Sequence, residues 1–195
     1  MPKSKFVIEH LEPELYQWCL IEYRHISKIV GKNYLIFTNI KDKKDSKKLR
    51  GFGSVFEKNV SELGLKNICV LSQYSKKTLK TKDKGASSYF VFGGILGDNP
   101  AKKRTNSIIM RLKKQKVKFE DRNLGGRQMP TDSAVYVAKK ILEGKKLSDF
   151  RFADSLDIEI NENESINMNF RYVVDGNKAI ISRKLVDYLR KRKEF

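Results

Sequence analysis

The stretch SYFVFGGILGDNPAKKRT, from Ser88 to Thr105, decides which fold this chain adopts. It opens with an apolar run, Tyr89–Phe92, of the kind that forms a buried strand. Residues 93–98 then contain three glycines and end in a carboxylate, and a basic segment follows. In open α/β sheets ligands bind at the carboxyl ends of strands, and glycine lets the backbone approach a ligand closely. The stretch therefore predicts a strand with a ligand-binding turn at its end, although a tight turn needing positive φ would use the same residues.

A second glycine-rich loop has the same setting. The sequence NLGGRQMPTD, Asn123 to Asp132, follows a short predicted strand, Val117–Phe119, and opens a predicted helix, Thr131–Glu143. The two loops lie roughly thirty residues apart in sequence. We expect them to pack side by side and to enclose one ligand.

The rest of the chain alternates between strand and helix patterns. Further strands are predicted at Lys5–Leu11, Asn33–Ile40, Ile68–Leu71, Phe150–Ile160 and Met168–Val174. Helices are predicted at Pro13–Gly31, Val60–Leu65, Arg104–Lys114 and Ser182–Lys193, while Lys41–Arg50 is expected to be a loop or an exposed helix start. This alternation predicts an α/β fold with a largely parallel sheet flanked by helices. The length suits a single domain over residues 1–195.

The composition favours an anionic partner. Lys and Arg number 41 against 23 acids, which gives a net charge of +18. RNA or the ribosome would suit such a surface, although a lysine-rich proteome would give the same excess.

The cysteines and the hydropathy pattern indicate a cytoplasmic protein. Cys19 and Cys69 lie in apolar segments, which favours a reducing compartment without disulfides. The amino terminus lacks a signal-peptide core, and no apolar run approaches the roughly 20 residues of a membrane span. His10 and His25 have no metal-ligand spacing, so no metal site is predicted.

Four separated segments together resemble one enzyme family. They are YFVFGGILGDNP with the following Arg104-Thr105, GGRQMPTDSA, FVIEHLEPELYQWCLIEY and MNFRYVVD. These segments are similar to the SPOUT class of S-adenosylmethionine-dependent methyltransferases. Within that class they resemble the branch typified by the yeast arginine methyltransferase of a small-subunit ribosomal protein.

This resemblance implies a trefoil knot over roughly residues 89–143 and S-adenosylmethionine as cofactor. It implies that one side of the cofactor is lined by Gly93, Gly94, Ile95, Leu96 and Gly97, and the other by Leu124, Gly125, Gln128, Met129 and Thr131. The activity implied is arginine N-methylation of a ribosomal protein, by a monomer in preference to a homodimer. RNA base methylation and a non-catalytic RNA- or ribosome-binding module stay open as alternatives. The chain lacks the Asn-x-x-Arg motif of the ribose methyltransferases in this class.

Arginine methylation needs carboxylates that grip the guanidinium and accept its proton, because the free guanidinium is always protonated. Three acids stand where ordinary folding does not obviously require them: Asp98, Glu9 and Glu22. Asp98 closes the first glycine loop, Glu9 lies in the first strand, and Glu22 interrupts the apolar face of the first helix. The alternatives are that Asp98 is an ordinary turn residue, that Glu9 is a solvent-facing strand residue and that Glu22 has a structural partner. A further acid, Asp132, lies at the start of a predicted helix. The alternative to a role in the site is that it only complements the helix dipole.

Two charged regions suggest partners. The acids at positions 154–164 have no Lys or Arg between them, which would suit a basic arginine-containing segment of a ribosomal protein, or an ordinary exposed loop. The basic runs at residues 102–118, 139–146 and 190–193 would contact rRNA phosphates without reading sequence.

Overall fold

A six-stranded sheet lies at the centre of the protein. The structure, a computed structural model, describes residues 4–97, 102–176 and 178–191. The strands of this sheet are β1 (Lys5–His10), β2 (Leu35–Thr38), β3 (Ser54–Val55), β4 (Ile68–Leu71), β5 (Tyr89–Gly94) and β6 (Phe119–Arg122). Their order is β3-β2-β1-β5-β4-β6, and all five pairings are parallel. The predicted parallel α/β sheet is thus confirmed.

Helices cover both faces of the sheet. The helices of the described ranges are α1 (Gln17–Val30), α2 (Lys43–Leu49), α3 (Asp83–Ala86), α4 (Asn106–Lys114), α5 (Thr131–Leu142) and α6 (Arg183–Lys191). Of these, α1 and α5 pack on one face of the sheet and α4 packs on the other. The charged stretch Lys41–Arg50 is therefore mostly helical. Its helix begins because the Asp42 side chain accepts a hydrogen bond from the Asp45 backbone N–H.

The central strands β1 and β5 explain the long apolar runs of the sequence. Phe90, Val91 and Phe92 of β5 are all buried, since helices pack on both faces. Alternate side chains of the strands enter separate cores. One core holds Phe6, Ile8, α1 and α5, and the other holds Val7 and α4.

The carboxyl-terminal part forms two smaller antiparallel sheets. One contains β7 (Arg151–Ala153), β10 (Tyr172–Asp175) and β11 (Lys178–Ala179), and the other is the hairpin of β8 (Leu156–Asn161) and β9 (Glu164–Met168). The single strand predicted at Phe150–Ile160 is wrong, because the chain leaves the first sheet at Asp154 and enters the hairpin.

Neither membrane spans nor metal clusters occur in the described ranges. None of the helices there combines the length and the hydrophobicity that crossing a membrane requires. No group of three or more potential metal-ligating side chains occurs in the same part of the chain. Cys19 and Cys69 are both free and buried.

Candidate functional site

The two glycine-rich loops meet at the carboxyl edge of the sheet and line a common cavity. Seven of the ten residues predicted to hold the cofactor line this glycine-loop cavity: Gly93, Ile95, Leu124, Gly125, Gln128, Met129 and Thr131. The Thr131 hydroxyl lies 3.4 Å from the carbonyl oxygens of both Gly93 and Ile95, which ties the start of α5 to the first loop.

Glycine is required at two positions of the first loop for different reasons. A Cβ on Gly93 would lie 2.9 Å from Ile95 Cδ1 and 3.2 Å from Thr105 Oγ1, so a side chain would push against the cavity wall. Gly97 has φ +93°, and its Cβ would lie 2.8 Å from the Phe170 ring and 2.9 Å from Gln128 Nε2. These positions form a cradle that fits a flat ligand approached by backbone groups.

Gly94 faces the protein interior. Its Cβ would lie 2.1 Å from the hydroxyl of Tyr23, which is hydrogen-bonded to His10 Nδ1 at 2.8 Å. Burial lowers the pKa of His10, so this pair is held as a neutral, buried contact. A side chain at Gly94 would therefore disrupt the packing of α1 on β5 before it reached the cavity.

A narrow second space adjoins the glycine-loop cavity. Ile95, Gln128 and Met129 line both spaces and so form the partition between them. The second space, here called the acid cleft, is also lined by Trp18, Glu22, Leu96, Gly97, Pro130, Phe170 and Tyr172. Leu96 and Gly97, predicted as cofactor residues, thus face the acid cleft and do not line the larger cavity.

Glu22 supplies the carboxylate of the acid cleft. Its residue surface is 4% exposed, and Trp18 Nε1 donates to Glu22 Oε1 at 3.2 Å. Burial, and after it the negative charge of Asp132, raises the pKa of Glu22 well above its usual value, while the Trp18 hydrogen bond opposes the rise. A buried acid without a cationic partner is costly, which is the arrangement expected of a site built for a cation.

Two further polar groups surround Glu22. The Tyr172 hydroxyl is buried and has no hydrogen-bond partner within the described ranges. Burial is the main cause of its raised pKa, with the charges of Asp132 and Glu22 adding to it. Asp132 accepts from His25 Nδ1 at 2.7 Å and from the Ser133 backbone N–H at 2.7 Å. Asp132 is thus more than a dipole-complementing residue, because it joins α1 to α5.

Glu9 lies on the opposite face of β1, in a different environment. Its carboxylate is fully buried and accepts from the Thr38 hydroxyl at 3.1 Å, from the Val60 backbone N–H at 2.6 Å and from Arg111. These three partners occupy the carboxylate in the core that contains α4. Glu9 pairs with Gly93 in the sheet, but only the carboxylate of Glu22, and not that of Glu9, lines the acid cleft beside the first glycine loop.

The third predicted acid, Asp98, lies outside the described residues. The first loop is instead fixed within them by Glu12, which the sequence patterns did not single out. Glu12 Oε1 accepts from the Leu96 backbone N–H at 2.9 Å and from Arg104 Nη1 at 2.8 Å. Burial alone would raise the pKa of Glu12, but these two hydrogen bonds hold it below its usual value.

Part of the cavity wall was also missed. Leu71, Ser72, Gln73 and Tyr74, at and beyond the end of β4, line the glycine-loop cavity. The available signal was that ICVL is a buried strand, since neighbouring parallel strands end at the same edge of a sheet. What the sequence does not reveal is that β4 is the neighbour of β5.

Comparison with known proteins agrees with this geometry. The family model for SFM1-like protein arginine N-methyltransferases matches residues 5–194. Protein arginine N-methyltransferase SFM1 of Saccharomyces cerevisiae is 31% identical and is aligned over 96% of this chain and 94% of its own length. The crystal structure of that yeast enzyme complexed with SAM superposes with a TM-score of 0.88 at 30% identity, covering 97% of this chain and 91% of the other.

A more distant likeness concerns the fold alone. The dual-specific Trm10 from Thermococcus kodakaraensis has a TM-score of 0.63 at 16% identity, covering 75% of this chain and 96% of that one. The resemblance seen in the four sequence segments is thereby confirmed. The chain belongs to the family of SFM1-like protein arginine N-methyltransferases.

Proposed function

We propose that this protein is an S-adenosylmethionine-dependent protein arginine N-methyltransferase. The observation that carries the proposal is the buried, partly satisfied carboxylate of Glu22, placed beside two glycine loops. The yeast relative is named as an arginine methyltransferase, and its structure was determined with SAM. Both facts support the same chemistry for this chain.

The glycine-loop cavity is proposed to hold the cofactor. Its lining combines glycine backbone and apolar side chains with polar and basic ones, among them Lys102, Lys103 and Arg127. The first group suits a flat base, and the second suits the polar parts of the cofactor. Gly93, Ile95, Leu124, Gly125 and Met129 would contact the cofactor, and Leu96, Gly97 and Gln128 would face its reactive end. When bound, the cofactor supplies the methyl group as a sulfonium.

Glu22 is proposed to bind the substrate guanidinium and to accept its proton. A cation in the acid cleft offsets the cost of ionising Glu22, so substrate binding itself turns the acid into a base. Trp18 holds the carboxylate through its indole N–H, and the unpartnered Tyr172 hydroxyl offers the guanidinium a second acceptor. Fixing the planar guanidinium in this way orients one nitrogen toward the partition at Gln128 and Met129.

The roles of the other two acids follow from their settings. Asp98 remains proposed as a second acid near the first loop, and Asp98→Asn should leave cofactor affinity intact while turnover falls steeply. Glu9 already has three partners on the other face of the sheet, which favours a structural role for it over a catalytic one.

We also propose that the chain forms a trefoil knot within one domain spanning residues 1–195. Residues 72–83 contact the segment between β6 and α5 through several hydrogen bonds, for example Asn123 N–H to the Lys77 carbonyl at 2.8 Å and Leu79 N–H to the Asn123 carbonyl at 2.9 Å. The Thr81 hydroxyl also donates to the Ile141 carbonyl at the end of α5. These contacts support passage of the later segment through the loop formed by residues 72–88.

The substrate is proposed to be a basic, arginine-containing segment of a small-subunit ribosomal protein. The β8–β9 hairpin carries Asp157, Glu159, Glu162 and Glu164, and it packs beside α1 through Ile158 and Met168. A basic peptide could lie across these acids with one arginine in the acid cleft. We further propose that the enzyme acts as a cytoplasmic monomer. The two free, buried cysteines support a reducing compartment such as the cytoplasm.

Contact with rRNA is proposed for the basic surface. Arg24 and Lys28 of α1 and Arg183 and Lys184 of α6 line one cleft, and none of them has an ion pair within the described ranges. Phosphates would neutralise such a cluster. The same charge would suit RNA base methylation, which is the second candidate function.

Labelled cofactor and cell extract separate these functions. The purified protein is incubated with methyl-labelled S-adenosylmethionine and with extract from cells that lack the enzyme. The labelled product is then treated with protease or RNase. Label lost only after protease, and recovered as methylarginine, supports the proposal. Label lost only after RNase would replace it with RNA methylation, and cofactor binding without any transfer would favour a non-catalytic module. Glu22→Gln is the matched control, because it should bind cofactor and transfer no label.

A further inference from the structure

The side chain of Asn123 joins two walls of the glycine-loop cavity from behind. One wall, here called the β4 wall, consists of residues 71–74, and the other contains Leu124 and Gly125 of the second glycine loop. Asn123 is not among the described residues that line the cavity. We propose that Asn123 is a positioning residue for the cofactor and acts through Gly125 and Ser75. The inference rests on the proposed function, which takes this cavity to be the cofactor site.

Both ends of the Asn123 amide have a partner. Its Oδ1 accepts from the Gly125 backbone N–H at 3.0 Å and from the Thr78 hydroxyl at 3.2 Å, and its Nδ2 donates to the Ser75 carbonyl at 2.8 Å. These partners fix the orientation of the amide, because only its oxygen can accept from an N–H and only its NH₂ group can donate to a carbonyl. One side chain therefore holds the second glycine loop and the segment that follows the β4 wall.

The backbone of Asn123 is fixed as well. Its N–H donates to the Lys77 carbonyl at 2.8 Å, and its carbonyl accepts from the Leu79 N–H at 2.9 Å. Leu79 is buried in the core that also contains α1 and α5, so the segment that meets Asn123 has an anchor in the protein interior. These contacts give Asn123 a rigid support from which its side chain can position the two walls.

The hydrogen bond from Gly125 to Asn123 sets the course of the second glycine loop. An asparagine side chain that accepts from the N–H two residues later closes a tight turn. Gly125 has φ +100°, which glycine adopts readily, and the turn brings Leu124 and Gly125 to the cavity. On the other side, Ser75 directly follows Tyr74, the last residue of the β4 wall. Loss of the Asn123 side chain should thus let the two walls shift while every residue that lines the cavity is kept.

The decisive variant is Asn123→Ala, which removes all three side-chain hydrogen bonds. We expect its affinity for S-adenosylhomocysteine, measured by calorimetry, to fall about tenfold, because the cavity is no longer held in its binding shape. The KM for S-adenosylmethionine should rise by a similar factor, while kcat and the KM for an arginine peptide stay within about threefold of wild type. A residue that only stabilised the fold would lower the thermal midpoint and leave both KM values unchanged.

Asn123→Asp separates the two ends of the amide. A carboxylate keeps an acceptor for the Gly125 N–H but cannot donate to the Ser75 carbonyl. Hydrogen exchange at the Gly125 amide should therefore stay slow in Asn123→Asp and become faster in Asn123→Ala. The affinity of Asn123→Asp for S-adenosylhomocysteine should lie between those of wild type and Asn123→Ala, because only one wall is released.

Thr81→Val is the matched control. The Thr81 hydroxyl donates to the Ile141 carbonyl at 3.0 Å, and neither residue is among the described residues that line the cavity. The variant removes a side-chain hydrogen bond from the same segment that meets Asn123, so it should cost comparable stability. Its affinity for S-adenosylhomocysteine should stay within about twofold of wild type, since the walls keep their connection.

The proposal is overturned by an Asn123→Ala protein that binds S-adenosylhomocysteine as wild type does, or by a Thr81→Val protein that binds it as weakly as Asn123→Ala. Should Asn123→Ala not fold, wild-type affinity in Asn123→Asp overturns it instead. A wild-type protein that does not bind S-adenosylhomocysteine removes both the cofactor site and the role of Asn123. A wild type that binds it but methylates RNA and no arginine peptide removes the proposed function alone, because the affinities still test Asn123.

Discussion

Trp18 Nε1 donates a hydrogen bond of 3.2 Å to the Oε1 atom of Glu22, and this is the one hydrogen bond to the Glu22 side chain within the described part of the chain. The two residues lie one helical turn apart on α1, so the same helix supplies both the acid and the group that holds it. The hydrogen bond from Trp18 partly offsets the cost of burying the Glu22 carboxylate and fixes its position in the acid cleft.

Replacing Glu22 with Gln should raise the stability of the protein and lower its methyltransferase activity. Glutamine keeps the shape and the acceptor for Trp18 but removes the charge, so methyl transfer to an arginine peptide should fall by about 10²–10⁴-fold. The thermal midpoint should rise by roughly 2–4 °C, because about 1 kcal/mol of buried-acid cost disappears. Calorimetry and single-turnover assays measure both effects. Equal stability together with undiminished transfer would remove Glu22 from the site.

The pH dependence of stability should also identify Glu22. Its folded-state pKa is raised by burial and by Asp132, above the value in the unfolded chain. A raised acid contributes stability that is fully present below the unfolded pKa and is lost as pH rises through the folded pKa. Wild type and Glu22→Gln should therefore unfold alike at low pH and diverge as pH rises, with the variant the more stable. Denaturant titrations at several pH values test this, and a constant difference across pH would contradict it.

The affinity for the substrate should depend on the protonation state of Glu22. Because a neutral Glu22 attracts a guanidinium weakly, affinity for an arginine peptide should increase as pH rises through the folded pKa of Glu22. The Glu22→Gln protein should bind weakly and without this dependence. Fluorescence anisotropy of a labelled peptide gives the affinities, and a lysine-substituted peptide serves as the control for general charge attraction.

Gly97 and Gly126 provide a matched test of the loops. Gly97 has φ +93°, and a Cβ there would meet Phe170 and Gln128, whereas a Cβ on Gly126 would have no atom within 4 Å. Gly97→Ala should weaken binding of S-adenosylhomocysteine by about tenfold or more, since backbone strain and the close contacts both displace the loop. Gly126→Ala should bind within twofold of wild type. Isothermal calorimetry distinguishes them, and similar affinities would mean that the loop adapts without cost.

Glu12 holds the first glycine loop through its hydrogen bonds with the Leu96 backbone N–H and Arg104, so a change of Glu12 should loosen that loop. Glu12→Gln weakens a charge-assisted hydrogen bond without creating a clash, so cofactor affinity should fall several-fold while the fold is retained. Glu14→Gln, an exposed change two residues away, is the control and should have no effect. Hydrogen exchange at the Leu96 amide gives a direct measurement. Unchanged exchange in Glu12→Gln would show that other contacts fix the loop.

The sequence alone was sufficient for the parallel α/β class and for the glycine loops, because both depend on local patterns. Apolar runs such as Phe90–Phe92 predict buried strands, and glycines after a strand predict a turn open to a ligand. The four family segments added the arginine methyltransferase assignment. They did so because four separate segments, spread over nearly the whole chain, resemble the same family.

Only the tertiary structure decided where each acid lies and what it contacts. Glu9 and Glu22 both interrupt apolar segments, and their local patterns do not tell them apart. Glu9 lies on the face of β1 that packs with α4, where Arg111 and two other donors satisfy it. Glu22 faces the glycine loops, where Trp18 is its single donor in the described structure and Asp132 raises its pKa. The difference arises from contacts between residues far apart in sequence, and the packing of α1 against α5 and β10 is what creates them.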